Sequence, residues 1–390
     1  MTDEKQIKVK TAQARYREWA KDCQRATITD HTLILARSRL PFDSAGFDVD
    51  PWILNCPNGT LDLQTGMLRP HRPEDMLTML TGVGLDPDAK APLWETFIHR
   101  VLGGSDDLVN FVQKATGYSL TGLTTEQVFF VLYGSGANGK STFTGMLTEA
   151  LGDYGKALPR GLLTAQKFES HPTILADLFR VRMATSSEVK AGSEWDEERI
   201  KSLTGGDKIK CRRMHENFWE YIPTHKIWLA TNHQPVTTDN SEGFYRRLRM
   251  IPFTVTIPEN ERDPKLMEKL RAELPGILAW AVQGCLKWQK EGLESPEEVQ
   301  AATRDYRERQ DPFGRFLSEC CDVNDEARIQ ASELLNAYER WSRKNHEKSL
   351  SSKELATAML EKGFQIKKSS SNYYLRIRLK DSASQNWEGL

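Results

Sequence analysis

One glycine-rich octapeptide at residues 134–141, Gly-Ser-Gly-Ala-Asn-Gly-Lys-Ser, constrains the fold of this chain more than any other feature. It fits the pattern G-x-x-x-x-G-K-[ST], follows a wholly apolar run at residues 128–133 and precedes a helical pattern at residues 142–150. A buried strand, a glycine-rich turn and a helix in this order form a phosphate-binding loop, because the turn directs backbone N–H groups at phosphate oxygens. The alternative is a glycine-rich turn that arises by chance, but such a turn would require neither a strand before it nor a helix after it. The sequence therefore predicts an α/β nucleotide-binding core around a parallel sheet.

The lysine and the serine that end this octapeptide predict the cofactors. Lys140 would supply a point charge to the β- and γ-phosphates, and the Ser141 hydroxyl would ligate Mg²⁺. ATP and Mg²⁺ are therefore the expected cofactors. The predicted nucleotide-binding residues are Gly134, Ser135, Gly136, Ala137, Asn138, Gly139, Lys140, Ser141 and Thr142.

The composition is that of an ordinary globular protein. With 390 residues, of which 39% are hydrophobic and 27% charged, the chain is expected to hold two or three domains. No apolar run is long enough for a membrane span and the N-terminus is polar, so no membrane association and a cytoplasmic location are expected. The six cysteines form no C-x-x-C pair and are expected to be reduced thiols. Because the formal net charge is −1, any nucleic-acid binding must come from local basic patches.

Changes of pattern divide the chain into six parts. They are an N-terminal α+β assembly module (1–95), a helical preface (96–126), the nucleotide-binding core (127–257), C-terminal helices (258–310), a further domain (311–380) and a tail (381–390). Within the core, residues 181–186 and 226–231 are predicted to be strands, and residues 208–222 a β-hairpin with basic flanks. In the domain at 311–380, three helical patterns and a strand pair predict a winged helix.

Polar residues follow two of the predicted core strands. Glu188 comes after the first of these strands and Asn232 after the second. Ligands of open parallel sheets bind beyond the carboxyl ends of the strands, so Glu188 is expected to act on Mg²⁺ or on the attacking water, and Asn232 to order that water. The alternatives are a surface acid for Glu188 and an ordinary turn residue for Asn232.

Three arginines, Arg246, Arg247 and Arg249, lie beside an apolar strand pattern. A guanidinium is always charged and forks onto phosphate oxygens, so one of them is a candidate for a finger that lowers the barrier to hydrolysis by about 4–7 kcal/mol. The alternative is that they form ion pairs with neighbouring acids. The three cannot all be fingers, and at least one is expected to be structural.

Several segments together carry a resemblance to a known family. The segments are residues 134–142, 187–188, 203–207, 228–235 and 243–253, with further likeness at residues 52–63, 333–341 and 350–355. In them the chain resembles the superfamily 3 helicases, and more narrowly the primase-helicases of phages and plasmids, whose helicase halves are AAA+ ring motors. The resemblance covers most of residues 50–380.

The resemblance implies an ATP-dependent replicative DNA helicase of a phage, plasmid or other mobile element, acting in the cytoplasm of a bacterial host. Lys140, Glu188, Asn232 and Arg246 would be its catalytic residues: Glu188 as the Walker B acid, which holds Mg²⁺ together with Ser141, Asn232 as the sensor, and Arg246 as a finger that reaches the ATP of the neighbouring subunit. Its C-terminal helices would form a lid over the nucleotide, and its last domain a winged helix.

A finger that acts on the neighbouring subunit implies a ring, expected to contain six subunits. By the resemblance, further residues at the subunit interface are Arg199, Lys201 and Arg247. The hairpin would enter the central channel and grip single-stranded or forked DNA through Lys210, Arg212, Arg213 and His215. A primase or a polymerase is a further expected partner.

Three positions or segments leave alternatives open. Ser187 stands where many relatives carry a second acid, so the metal and water duties fall on Glu188 alone or recruit Glu194. Glu216 stands at the hairpin tip where relatives often carry lysine. Residues 362–380 contain six basic and no acidic side chains, which indicates either a surface for loading onto DNA or an ordinary solvated face.

The alternative function is an ATP-switched replication initiator that binds DNA without unwinding it. A third class is a small-molecule kinase, although no acceptor motif is evident.

Overall fold

The structure is a computed structural model that describes residues 3–39, 46–166, 172–187, 190–237, 242–368 and 371–380. The chain divides into a smaller unit, residues 1–49 and 73–78, and a larger unit, residues 50–72 and 79–390. The helices are α1 Asp3–Asp22, α2 Ala26–Arg39, α3 Pro92–Val101, α4 Asp106–Leu120, α5 Lys140–Leu151, α6 Pro172–Ala176, α7 Glu197–Thr204, α8 Glu242–Tyr245, α9 Leu266–Ala272, α10 Leu274–Glu291, α11 Glu297–Gln310, α12 Pro312–Cys320, α13 Ala331–Lys344 and α14 Ser352–Glu361. The strands are β1 Ile53–Cys56, β2 Gly59–Asp62, β3 Met67–Arg69, β4 Phe129–Tyr133, β5 Gly155–Ala157, β6 Met183–Ser187, β7 Ile209–Cys211, β8 Trp219–Tyr221, β9 Lys226–Thr231, β10 Leu248–Pro252, β11 Cys321–Gln330, β12 Ile366–Lys368 and β13 Asn372–Leu379.

The smaller unit contains the helices α1 and α2, which are held by local contacts. Tyr16 and Trp19 meet edge to face with ring centroids 5.5 Å apart, and both side chains are largely exposed. In the same unit, the Asp48 carboxylate accepts hydrogen bonds from the backbone N–H of Thr78 (2.8 Å) and from its hydroxyl (2.5 Å). This contact joins the two stretches of chain that make up the unit.

The larger unit is built on a five-stranded sheet in the order β10-β4-β9-β6-β5, in which every neighbouring pair is parallel. Strand β9 is buried along its whole length and β4 along nearly all of it. Strands covered on both faces are apolar at successive positions, which explains the continuous apolar run before the glycine-rich loop. The predicted α/β class and parallel sheet are confirmed.

Helices α4, α5 and α10 cover one face of this sheet. Phe130 of the sheet stacks on Trp228 with ring centroids 4.2 Å apart, beneath Phe143 of α5. A Cβ at Gly117 would lie only 1.9 Å from the backbone N of Cys285. Helices α4 and α10 therefore pack backbone to backbone, and the chain after the core returns onto the helices that precede it.

Helix α11 packs along the edge strand β10, and its Ala302 and Tyr306 join the core on the other face of the sheet. Its Tyr306 hydroxyl accepts a hydrogen bond from Trp195 Nε1 (2.8 Å) and donates one to the carbonyl of Pro235 (2.5 Å), while Thr303 Oγ1 accepts from the N–H of Met250 (3.3 Å). These buried bonds fix α11 against the loops that follow β6 and β9. Helix α12 begins immediately after α11, so the same helix leads into the C-terminal domain.

Two smaller sheets complete the larger unit. Strands β7 and β8 pair antiparallel, which confirms the hairpin predicted at residues 208–222. The C-terminal domain packs α12, α13 and α14 around Phe316, Tyr338 and Trp341, beside an antiparallel sheet of order β11-β13-β12. The predicted strand pair is present as β12 and β13, and β11 adds a strand that the sequence did not predict. The winged-helix assignment stays a prediction.

Two expectations from composition can be compared with the structure. Within the described ranges, no helix has the length and apolarity needed to cross a membrane. The six cysteines are all free thiols, and five of them are buried. The expected reduced state of the cysteines is therefore in accord with their surroundings.

Candidate functional site

The loop between β4 and α5 is shaped by its first and last glycines. A Cβ at Gly134 would lie 2.0 Å from the carbonyl oxygen of Phe253, and a Cβ at Gly139 would lie 2.7 Å from Val101 Cγ1. Gly139 also has φ 82°, a left-handed conformation that side chains rarely adopt. Glycine is therefore required at both positions, and the loop leads directly into the N-terminus of α5, where N–H groups favour an anion.

Asn138 fastens this loop to the chain that leaves β10. Its side chain is buried, and Nδ2 donates to the carbonyl of Phe253 (2.9 Å) and to that of Ser135. The N–H of Ile257 donates to the carbonyl of Ala137 (2.9 Å). These hydrogen bonds attach the loop to Phe253 and Ile257, which follow β10 in the chain.

Lys140 carries a buried positive charge at the base of the loop. Its side chain is 5% exposed, and Nζ donates to Asn138 Oδ1 (2.8 Å), to the Gly134 carbonyl (2.9 Å) and to Asn232 Oδ1 (2.9 Å). Burial lowers the pKa of this ammonium to about 8. Neutral oxygens are its only acceptors among the described residues, so a phosphate would bind it more strongly than its present partners do.

The strands β4, β6 and β9 end at one edge of the sheet, as the sequence predicts. Tyr133 pairs with Thr231 in the ladder, so the loop and Asn232 emerge side by side. Asn232 is exposed apart from its bond with Lys140, and the structure thus brings these two predicted residues together. Glu188 lies outside the described residues, immediately after Ser187, the exposed last residue of β6. Its role stays a prediction.

Ser141 stands in the first turn of α5, where its exposed side chain is accessible to a metal ion. Across the described ranges, no three His, Cys, Asp or Glu side chains gather into a metal-binding cluster. A serine hydroxyl with one carboxylate suits Mg²⁺, which commonly takes its remaining ligands from water and from substrate phosphates. Ser141 with Glu188 therefore stays the predicted Mg²⁺ pair.

The three arginines before and within β10 lie in different surroundings. Arg247 is 8% exposed and donates to the carbonyl of Gly243 (2.5 Å). Arg249 is half-buried and donates to the carbonyls of Arg246 (2.8 Å) and Leu248 (3.1 Å). Burial lowers the pKa of both guanidinium groups. Arg246 is exposed, and among the described residues its guanidinium makes no hydrogen bond or ion pair.

These surroundings separate a structural from an available arginine. The Arg247 guanidinium is buried within its own subunit. The interface role predicted for Arg247 would therefore require this segment to move. Arg246 alone of the three presents its charge to solvent. The identity of the finger stays a prediction, and burial favours Arg246 for it.

Arg246 lies at the edge of the sheet opposite to the loop. In the parallel pairing of β10 with β4, Leu248 is beside Phe129 and Pro252 is beside Tyr133. The five residues of β10 therefore separate the two edges by about 15 Å, given the usual rise per strand residue. A guanidinium before Leu248 cannot reach a phosphate held by the loop of the same chain.

The other predicted interface residues lie on α7. The Arg199 guanidinium pairs with Asp196 (3.2 Å) and donates to the carbonyl of Leu162 (3.1 Å), and is about one-fifth exposed. Lys201 is half-buried on the same helix. Arg199 is therefore engaged within its own subunit, and the interface role of both residues stays a prediction.

The hairpin has one inward and one outward face. The inward side chains, buried or half-buried against the core, are Ile209, Cys211, Trp219 and Tyr221. The four predicted DNA-binding residues lie on the outward face or at the tip, and only Arg212 among them is partly covered: Lys210, Arg212, Arg213 and His215. Phe218, which the sequence reading missed, is also outward and 50% exposed. Strand alternation with Lys210 and Arg212 is the signal that would have found it.

Three of the six basic side chains at residues 362–380 form ion pairs with acids from elsewhere in the C-terminal domain. These ion pairs are Lys362 with Asp311, Arg376 with Asp325 and Arg378 with Asp322, and Lys380 donates to the carbonyl of Ser318. Tyr374 is buried, and Tyr373 lies under Arg328, with its ring centroid 5.2 Å from Cζ. Lys367 and Lys368 are exposed and form no ion pair with the described residues, so a solvated face and a DNA-loading surface both stay open as alternatives.

Two family models match parts of this chain. The model described as D5 N terminal like matches residues 1–103. A family of unknown function, DUF5906, matches residues 132–247, which contain the glycine-rich loop, the hairpin and Arg246.

Curated viral proteins with helicase names are similar to the chain in sequence. "Putative helicase L207/L206" of Acanthamoeba polyphaga mimivirus is 28% identical over 328 residues, which are 77% of this chain and 34% of that protein. The similarly named 022R of Frog virus 3 (isolate Goorha) is 21% identical over 60% of this chain and 26% of its own. The protein named 184R of Invertebrate iridescent virus 6 is 22% identical over 58% of this chain and 24% of its own length. The chain thus spans about a third or less of the length of these relatives.

Two solved structures of the NrS-1 C-terminal region share the fold. They superpose with TM-scores of 0.51 and 0.52 at 12% and 11% identity. The alignments cover 76% and 75% of this chain, and 77% and 78% of the NrS-1 chains. At this identity the likeness shows the fold alone, whereas the sequence matches support kinship with D5-like, helicase-named viral proteins.

Proposed function

We propose that this chain is the motor part of an ATP-dependent replicative DNA helicase of a virus or other mobile element. The motor is of the superfamily 3 AAA+ type and works as a ring, with six subunits expected. ATP is hydrolysed at the seams between subunits. Kinship with helicase-named viral proteins supports the activity, and the contacts in the loop support the use of ATP with Mg²⁺.

The separation of Lys140 from Arg246 across the sheet is the observation that carries this proposal. One chain presents a phosphate-binding loop at one edge of its sheet and an exposed arginine at the other edge. A neighbouring subunit can complete the site if its arginine edge contacts the loop edge of the first. A head-to-tail contact of this kind repeats around a ring when the rotation closes.

An open cleft of about 500 Å³ beside Arg246 supports such a contact. Of the other cations that line the cleft, Arg304 pairs with Glu297 (2.6 Å) and Arg307 pairs with Glu242 (3.1 Å), while Arg249 is half-buried and donates to backbone carbonyls. Arg246 is therefore the exposed cation at this cleft that no acid of the described residues pairs with. A γ-phosphate that enters the cleft from a neighbouring subunit would meet this guanidinium.

In the proposed reaction each side chain has one task. Lys140 neutralises the β- and γ-phosphates, and Ser141 with Glu188 holds Mg²⁺, which lowers the charge on the same oxygens. Asn232 orients the attacking water. Arg246 of the adjacent subunit stabilises the charge that develops in the transition state, an effect of about 10³–10⁵ on the rate where such fingers operate.

The remaining parts receive roles by the resemblance. The hairpin is proposed to line the channel and bind DNA, the helices after the core to form a lid, and the last domain to be a winged helix. Primase or polymerase partners are proposed on the same ground. The exposed cations Lys210 and Arg213 on the hairpin support the DNA role.

Strand displacement on a forked duplex tests the proposal. We expect ATP turnover that DNA stimulates, that rises more than linearly with protein concentration as rings assemble, and that accompanies separation of the strands. Turnover without displacement would favour the ATP-switched initiator. Full turnover by a monomer at every concentration would contradict hydrolysis at a seam.

A further inference from the structure

The outward face of the hairpin carries an exposed aromatic ring, that of Phe218, which is not part of the hydrophobic core. Phe218 is 50% exposed, whereas its neighbour Trp219 turns inward and packs against Phe179 with ring centroids 4.8 Å apart. Tyr221 is also inward, and its hydroxyl donates to the carbonyl of Leu175 (2.7 Å). Trp219 and Tyr221 thus anchor the hairpin, and Phe218 remains in water, where an apolar ring is costly.

Two cations flank this ring. The Arg212 guanidinium carbon is 4.8 Å and Lys210 Nζ is 5.3 Å from the Phe218 ring centroid. Cys211 pairs with Trp219 in the ladder, so the next pair towards the tip places Arg212 opposite Phe218, on the same face as Lys210. Cation–π contact holds the three side chains as one exposed cluster.

We propose that Phe218 is a stacking platform for a base of single-stranded DNA, with Arg212 and Lys210 bound to the phosphates on either side of that base. The inference rests on the proposed function and names the form of DNA that the hairpin grips. Bases in a duplex have their faces covered, so an aromatic platform selects single strands. Every base has such a face, so this contact does not depend on sequence, as a translocating motor requires.

The two flanking cations are not equivalent. Lys210 lies opposite Glu220 in the ladder, and this carboxylate offsets part of its charge. Arg212 is opposite Phe218 itself. The guanidinium is therefore the main phosphate contact beside the stacked base, and Arg213, exposed at the tip, adds a contact that is independent of the ring.

The test compares two ligands with the same number of phosphates. Binding of the full chain to fluorescent oligo(dT) and to an abasic oligonucleotide of equal length is measured with a non-hydrolysable ATP analogue present. Phe218→Ala should weaken oligo(dT) binding by about 5- to 150-fold, the range found for loss of one base–aromatic stack. Its binding to the abasic ligand should change little, and Phe218→Trp should restore oligo(dT) binding.

Two further variants separate stacking from charge. Arg213→Ala should weaken both ligands and reduce the salt slope by about 0.7 per lost phosphate contact, whereas Phe218→Ala should leave the slope unchanged. Val323→Ala removes an exposed apolar side chain of β11, 69% exposed and remote in sequence, and should alter neither affinity.

Three results would overturn the inference. An equal loss on both ligands for Phe218→Ala would show a structural role for the ring, and no loss on either would show an idle surface residue. In both cases the proposed helicase function would stand. Failure of the unaltered chain to bind either oligonucleotide would instead overturn the proposed function, and the inference with it.

Discussion

Lys140 Nζ donates to Asn232 Oδ1 across 2.9 Å, so one hydrogen bond joins the glycine-rich loop to the end of β9. A phosphate is a charged acceptor and would compete for the same ammonium with an advantage over the amide oxygen. We therefore expect Asn232 to leave Lys140 as a nucleotide enters. Its amide would then be able to orient water, which couples occupancy of the loop to readiness for hydrolysis.

Lys140→Ala should abolish ATP turnover. The substitution removes the positive charge next to the β- and γ-phosphates, and loss of one preorganised donor of this kind lowers rates by at least about 100-fold. DNA-stimulated phosphate release at saturating Mg-ATP measures the effect. Lys353→Ala removes an exposed lysine of α14 and serves as the control, with no change expected. Retained turnover in Lys140→Ala would remove the loop from the mechanism.

ATP binding should weaken as the pH rises through about 8. Burial lowers the folded-state pKa of Lys140 to about 8, from 10.5 in the unfolded chain. Above that pH the free protein loses the proton that a phosphate complex requires, so affinity should fall about tenfold per pH unit. Titration with a fluorescent ATP analogue measures it, and Lys140→Arg, which stays charged, should show no such loss.

The lowered pKa of Lys140 also affects stability, which it makes increase with pH, whereas it makes the affinity for ATP decrease. Between pH 8 and 10.5 the unfolded chain binds more protons at Lys140 than the folded chain does, so this group makes the free energy of unfolding rise with pH in that window. Below pH 8 both states are protonated and the folded state bears the cost of a buried charge. Loss of both trends in Lys140→Ala would assign them to this side chain.

Arg246→Ala and Arg247→Ala should fail in different ways although the residues are adjacent. Arg246 is exposed, so its loss should leave the melting temperature unchanged and nucleotide binding nearly intact, while turnover falls by about 10³–10⁵. Arg247 is buried and donates to Gly243, so its loss should lower the free energy of unfolding by about 1–3 kcal/mol. Thermal unfolding and turnover of both variants distinguish the two roles.

Mixed rings test whether Arg246 acts on the neighbouring subunit. Arg246→Ala subunits keep an intact loop, and Lys140→Ala subunits keep an intact arginine, so a seam between them can hold one complete site. Mixing the two inactive variants should therefore restore part of the turnover, and Glu188→Gln can replace Lys140→Ala as the second partner. Mixtures that stay inactive would contradict the proposal that Arg246 completes the site of the neighbouring subunit.

The loop and the strand ends were predictable because they depend on short, local patterns. An apolar run, a glycine-rich turn and a helix lie together in residues 128–150, and parallel strands bring their carboxyl ends to one edge. The meeting of Lys140 with Asn232 follows from these two rules. The position of Arg246 at the far edge required the observed pairing of β10 with β4, which no local pattern specifies.

Other features could not be predicted from short stretches of sequence, because they depend on contacts between distant residues. Strand β11 has a break in register between Val323 and Arg328 and depends on pairing with β13, so its sequence shows no clean alternation. The acids that pair with Arg376 and Arg378 lie in β11, far away in sequence, so these ion pairs could not be predicted from the basic stretch alone. Strand alternation places Phe218 and Trp219 on opposite faces, but only the observed hairpin register shows that Phe218 shares its face with Lys210 and Arg212.

Gly134→Ala and Gly136→Ala should have unequal effects although both change a glycine of the loop. A Cβ at Gly134 would lie 2.0 Å from the Phe253 carbonyl and 2.6 Å from Asn138 Nδ2, whereas a Cβ at Gly136 would have no atom within 4 Å. Gly134→Ala should therefore displace the loop, lower the free energy of unfolding by about 1–3 kcal/mol and remove ATP binding.

Gly136→Ala should keep the melting temperature and bind ATP within a few-fold of the unaltered chain. Thermal unfolding and fluorescent-nucleotide titration of both variants decide the matter, because the first measures strain in the loop and the second its capacity for phosphate. If Gly136→Ala folds normally but loses ATP as fully as Gly134→Ala, the bound phosphate must approach the loop tip more closely than contact with Lys140 requires.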